Sequence, residues 1–288
     1  VLCIAGGGLF IKKMIDDAPN ITPEDVKPSK FTTQAFADDE ATILDTFVDA
    51  GANRVYKPID EIPKNLQNAF IAVEDSRFLE HNGIDLKGIV RAGLKGILSG
   101  HFSEGASTLT QQLIKNNVFP NFVQEKTFLD RVERKLQEQY LAVEIEKQMD
   151  KDEILENYLN TINLGQNTLG VQAASKRYFG KDVSELNLSE CATIAAITQN
   201  PGKYNPVTNP DENAKRREKV LSDMMEQGYI DQAQYDEAIA DSVYERIQAT
   251  NAQYEDNSSV SSYFIDAVAD QVIDDLINEM GYTETQAY

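Results

Sequence analysis

Glu74 and Asp75 stand directly behind the apolar run Phe70-Ile71-Ala72-Val73, and Phe78, His81 and Gly83 follow closely. A carboxylate leaving an apolar segment is a possible general base, because partial desolvation raises its affinity for a proton. On these residues alone, a solvated charge pair at a helix end is the commoner outcome. A second group follows at Gly105-Ala106-Ser107-Thr108-Leu109-Thr110-Gln111-Gln112, with Lys115 just beyond. Ser107, Thr108, Thr110, Gln111 and Gln112 are hydrogen-bonding groups suited to sugar and phosphate oxygens. Several of them could equally bond only to backbone. A third group, Arg131, Arg134, Lys135 and Glu138, falls at i, i+3, i+4 and i+7 and so shares one face of a helix. A solvated face with ordinary ion pairs would show the same pattern.

The charge balance supports a special role for this part of the chain. Across 288 residues the net charge is −20, which argues against general nucleic-acid binding. Residues 110–181 nevertheless hold ten of the 27 basic residues and only ten of the 47 acidic ones. An anionic ligand would find its place in this balanced stretch. Only His81 and His101 are present, with no cysteine near them, so a zinc site built by the protein is not expected. Cys3 and Cys191 imply no disulfide framework, and Cys191 reads as a small core residue.

The elements that must position these groups read as mostly helical. Val1 to Ile11 carries no charge and precedes Lys12-Lys13. Eleven residues span about 16 Å as a helix, roughly half a bilayer core, so residues 1–13 read as the end of a truncated membrane anchor. A signal-peptide remnant is the alternative. Residues 14–30, with Pro19, Pro23 and Pro28, read as a spacer. Short Thr/Val/Ile/Phe runs between Phe31 and Tyr56 suggest a strand or hairpin, with a turn signal at Asp49-Ala50-Gly51. Helical spacing then places Leu66, Ala69, Phe70 and Val73 on one face. Ile84–Leu98 reads as an amphipathic helix through Leu86, Ile89, Val90, Leu94 and Ile97. Thr127–Gln148 is the clearest helix, with Val132, Leu136, Tyr140 and Val143 as its expected apolar stripe. Further helices are expected over Lys151–Asn163, Val171–Phe179, from Ser189 to about Gln199, Asp211–Gln227 and Gln232–Asp241. Residues 250–262 read as a linker before a last helix at about Ser262–Met280. No strand–helix alternation, phosphate-loop lysine motif or nucleophile elbow is present.

Taken in order, five clusters carry a resemblance. They are Glu74…Phe78…His81-Asn82-Gly83, then residues 105–112, then Arg134-Lys135…Glu138, then Ile154-Leu155-Glu156-Asn157-Tyr158-Leu159-Asn160, and Tyr178-Phe179-Gly180-Lys181. Their order and spacing resemble the peptidoglycan glycosyltransferase domain of class A penicillin-binding proteins, across roughly Ala50 to Ile239. The resemblance implies a mainly α, two-lobed, lysozyme-like fold with a minor β hairpin near the N-terminus. It implies a glycosyltransferase domain over residues 50–245. Residues 246–288 would then lead towards a transpeptidase domain whose serine motifs are not in this sequence.

The implied activity is polymerisation of lipid II into β-1,4-linked glycan by inverting transfer, with release of undecaprenyl diphosphate. Glu74 would take the proton of the attacking sugar hydroxyl. Lys115, Arg134 and Lys135, with Arg131 less directly placed, would stabilise the departing diphosphate. Glu138, the second catalytic glutamate, would orient those cations or act through a divalent ion. No tightly bound cofactor is implied beyond a divalent cation, Mg or Mn, at the substrate diphosphate. The implied partners are lipid II, the growing lipid-linked glycan, the cytoplasmic membrane and other cell-wall synthesis proteins, with no nucleic acid. The implied location is the extracytoplasmic face of the cell membrane, on a single-pass anchor.

Ala106 and Leu169 depart mildly from the family pattern, and the segment between Lys115 and Arg134 is long. Two rival readings share some of these residues. A lysozyme-like hydrolase or lytic transglycosylase also needs a carboxylate in a helical cleft, but not a cationic stripe. A lipid II-binding scaffold would need no intact glutamates.

Overall fold

A computed structural model describes residues 11–29, 31–36, 38, 43–47, 53–99, 105–119, 122, 125–257 and 263–282 of the chain. Polar caps set where most helices begin. Thr22 and Asp25 cap α1 (Pro23–Val26), and Pro63 precedes α2 (Lys64–Glu74). Helix α3 covers Leu86–Ser99, and Thr108 caps α4 (Leu109–Val118). Thr127 and Asp130 form a capping box for α5 (Phe128–Ile145), as Asp150 and Glu153 do for α6 (Lys151–Leu159). Helix α7 (Val171–Phe179) runs between Gly170 and Gly180, both at positive φ. Asn187 and Glu190 cap α8 (Leu188–Ala195), Pro210 opens α9 (Pro210–Glu226), and Asp231 caps α10 (Gln232–Ala240). Helices α11 (Val243–Asn257) and α12 (Tyr263–Asn278) follow. Among the described residues the only named strands are β1 (Thr33–Phe36) and β2 (Ile43–Phe47), which pair antiparallel. The class is mainly α, as expected.

Two packing groups meet at the end of α2. Helix α2 lies against α8 and α9, while α4 lies against α5 and α6. A continuous core joins them, with Phe70, Phe78, Tyr158 and Tyr178 among its large buried side chains. The Phe70 and Tyr158 rings meet edge to face with centroids 6.0 Å apart. Cys191 is fully buried, and burial pushes its thiol far up, which fits an inert core residue.

Several sequence expectations change here. The expected stripe of α5 is not its buried face. Gln137, Glu138, Leu141, Ala142 and Ile145 point inward, while Tyr140 is 40% exposed. Counting apolar residues misplaced the face because polar Gln137 and Glu138 find partners inside. Leu86 and Val90 of α3 are also exposed, at 70% and 61%, and nearby Leu79 is 66% exposed. The proline-rich stretch is more than a spacer. Met14 and Val26 are buried, α1 packs on α4, and Gln137 Nε2 donates to the Met14 carbonyl at 2.9 Å. Residues 250–257, expected in a linker, continue α11, which packs on α7. The turn signal at 49–51 and the first ten residues lie outside the described residues. No described helix is long and apolar enough to cross a membrane.

Candidate active site

Glu74 is the last residue of α2, and the apolar residues before it anchor that helix in the core. Its half-buried carboxylate is held at both oxygens by neutral donors. Gln112 Nε2 donates to Oε2 at 2.9 Å, and Thr198 Oγ1 donates to Oε1 at 2.5 Å. The Tyr158 hydroxyl reaches Gln112 Oε1 at 3.4 Å, which turns the amide NH2 of Gln112 towards Glu74.

The adjacent Asp75 serves the scaffold. Its Oδ2 accepts the Leu109 N–H at 3.0 Å at the start of α4, where a negative charge suits the helix dipole. His81 Nε2 lies 3.0 Å from both Asp75 oxygens. Thr108 Oγ1 and Gln111 Nε2 donate to the Gly83 carbonyl at 2.9 and 3.1 Å. Gly83 has φ 85°, and a Cβ there would lie 2.5 Å from the Ala142 backbone of α5. Only glycine permits this approach, which draws the loop after Glu74, α4 and α5 together.

The cations assemble around Glu138, whose side chain is 0% exposed. One oxygen accepts from Arg134 Nη1, and the other lies 2.5 Å from Lys135 Nζ. Lys135 Nζ also donates to Ser107 Oγ at 3.1 Å. Arg134 is further gripped by Glu125, through Nε at 2.6 Å and Nη2 at 3.2 Å. Two cations lie over the Phe122 ring, Lys115 Nζ at 5.2 Å and the Arg134 guanidinium carbon at 5.6 Å from its centroid.

Burial pulls the Lys115 amine below the ordinary lysine range, and the nearby charges of Lys135 and Arg134 pull the same way. Glu138 and Glu74 pull it upward. The charges of both glutamates therefore act on Lys115. Burial lowers the Arg134 guanidinium as well, but Glu125 and Glu138 outweigh it and hold the net shift upward. Glu74 and Ser107 line one narrow cleft of about 30 Å³, together with Asp85, Arg91 and Thr108. Ser107 thus connects the Glu74 cleft to Lys135.

The expected site residues accordingly divide. Glu74, Ser107 and Thr108 line the cleft, Gln112 bonds Glu74, Lys135 bonds Ser107 and joins Arg134 on Glu138, and Lys115 lies with Arg134 at the Phe122 ring. Thr108, Thr110 and Gln111 are buried and bonded within the fold, Thr110 to Glu146. Arg131 is exposed, and its Nε bonds back to the Thr127 carbonyl at 3.4 Å, apart from the cluster. The fourth and fifth sequence clusters act as scaffold. Asn160 bonds both the N–H and the carbonyl of Lys57, and Tyr178 donates to the Leu164 carbonyl at 2.6 Å. Sequence reading missed Thr198 and Glu125. Thr198 lies 124 positions from Glu74, beyond any local signal, whereas Glu125 stands in the long segment that had no assigned place.

A protein-family model described as Transglycosylase matches residues 40–225. Penicillin-binding protein 1A of Clostridium perfringens (strain ATCC 13124) is 38% identical over 97% of this chain and 34% of its own length. Penicillin-binding protein 1A of Escherichia coli K12 is 45% identical over 70% of this chain and 22% of its own. Penicillin-binding protein 1F of Bacillus subtilis 168 is 48% identical over 62% of this chain and 24% of its own. The chain spans about a third or less of the length of these relatives. With the matched segment covering all five clusters and the cleft at Glu74, the chain belongs to the transglycosylase family, as a glycosyltransferase domain of the class A penicillin-binding protein kind.

Proposed function

We propose that this chain polymerises lipid II into β-1,4-linked glycan by inverting transfer. The observation that carries the reading is the join between two unlike centres. A cleft-lining carboxylate, Glu74, shares its cleft with Ser107, whose hydroxyl accepts from Lys135 of the Arg134–Lys135–Glu138 cluster. In the reaction, the 4-hydroxyl of the acceptor GlcNAc attacks the anomeric carbon of the lipid-linked donor. Its proton passes to Glu74 as the new C–O bond forms. The anomeric carbon–oxygen bond breaks, and the electron pair leaves with undecaprenyl diphosphate. Lys115, Arg134 and Lys135 stabilise the charge that develops there. Glu138 holds the last two in place, and both of its oxygens are engaged in doing so.

Among the described residues, no group of three or more His, Cys, Asp and Glu is gathered that could hold a metal ion. A divalent ion, where one takes part, would arrive bound to the diphosphate. The reading also places the domain at the outer face of the cytoplasmic membrane, beside other cell-wall synthesis proteins. Exposed Leu79, Leu86 and Val90 would suit a side that touches lipid.

The test incubates the protein with labelled lipid II and separates the products by size. Long chains are expected from the wild type and none from Glu74→Gln. Unchanged lipid II with the wild type, or digestion of preformed glycan instead, would overturn the reading.

A further inference from the structure

Thr198 stands just past the end of α8 and has no part in the five clusters. Its hydroxyl has one proton and two acceptors within reach. Glu74 Oε1 is 2.5 Å away, and the Ala195 carbonyl is 3.1 Å away. A hydroxyl rotates to suit its partners, so it can donate to either but not fully to both. A charged carboxylate is much the stronger acceptor. Glu74's other oxygen is held by Gln112, which Tyr158 orients in turn. The carboxylate is thus gripped from two elements, α4 and the end of α8, which are distant in sequence.

We propose that Thr198 is a positioning residue for Glu74. Its hydroxyl donates to the ionised carboxylate and swings to the Ala195 carbonyl when Glu74 takes up a proton. The ionised base is then held towards the cleft, and Oε1, once protonated, does not face a fixed donor, while Gln112 keeps its bond to Oε2. No group leaves Thr198 and no bond to substrate forms. The hydroxyl proton stays on Oγ1 and only its direction changes. This rests on Glu74 being the base.

The variants Thr198→Val and Thr198→Ser separate the hydroxyl from the space it fills. Valine keeps the shape and removes the donor, whereas serine keeps the donor. Glycan synthesis from labelled lipid II is measured for both, for the wild type and for Glu74→Gln, on protein whose thermal melting is wild-type-like. The expected result is a fall in kcat of roughly tenfold for Thr198→Val with KM unchanged, the scale of one lost hydrogen bond to a charged group. Thr198→Ser should recover most of that loss. Wild-type kcat in Thr198→Val, an equal loss in Thr198→Ser, or a loss confined to KM would each overturn the role of Thr198. Full polymerisation by Glu74→Gln would instead overturn the base assignment itself, so the two failures are distinguishable.

Discussion

Two glutamates sit within one site and are built in opposite ways. Glu138 is fully buried, and each oxygen meets a cation, Arg134 or Lys135. Glu74 is half-buried at a cleft, and its oxygens meet only neutral donors, from Gln112 and Thr198. A carboxylate whose two oxygens each meet a cation serves to hold those cations together. A carboxylate held by single bonds from neutral donors is kept in one orientation at the cleft. Residue type alone does not separate the two roles; the partners do.

Breaking the cationic side should have the largest effect on stability. Removing Glu138 leaves Arg134 and Lys135 without their shared counter-ion. The cost should be about 3 kcal/mol, the low end for a broken buried pair, because Lys135 is partly exposed and Arg134 keeps Glu125. Denaturant unfolding of Glu138→Ala would show it as a lower midpoint, with the slope unchanged. Gly83→Ala acts on the contact that holds both regions together. A Cβ would strike the Ala142 backbone, and φ 85° is unfavourable for alanine. About 2–4 kcal/mol should be lost, together with activity, as thermal melting and the polymerisation assay would report.

Smaller changes sharpen the comparison. Glu125 shares Arg134 with Glu138, so an anionic substrate must compete with it for the guanidinium. Glu125→Gln should tighten binding of inorganic diphosphate several-fold by calorimetry, whereas Glu138→Gln should weaken it. The smallest effect concerns pH. Lys115 is held below its ordinary value of 10.5, chiefly by burial, so its ammonium loses its proton at a lower pH than a free lysine. Diphosphate binding should therefore weaken as pH rises towards 10.5 from below, and Lys115→Arg should move that loss upward. An unchanged alkaline limb in Lys115→Arg would remove Lys115 from the binding set.

Much of this arrangement was legible in the sequence because it is local. Arg134, Lys135 and Glu138 are one helical turn apart, so their grouping follows from spacing alone. The helix starts expected at Thr127 and Lys151 fall within a residue of the observed ones, which Thr127 and Asp150 cap. The inward face of α5 was not legible. Its buried polar residues are stabilised by partners from distant segments, such as the Met14 carbonyl for Gln137. The same holds for Thr198, whose hydroxyl gains its role only when α8 packs against α2. The Ser/Thr/Gln run shows the limit from the other side. Its residue types suit a ligand, yet Thr108, Thr110 and Gln111 bond Gly83 and Glu146 instead.

The division of labour between the glutamates is tested most directly by measuring kcat and the affinity for inorganic diphosphate together in Glu74→Gln. The account predicts that kcat falls by roughly 100-fold or more, the scale of a lost general base, while the diphosphate Kd stays at the wild-type value. Turnover near wild type, or a loss of diphosphate affinity as large as that of Glu138→Gln, would contradict it.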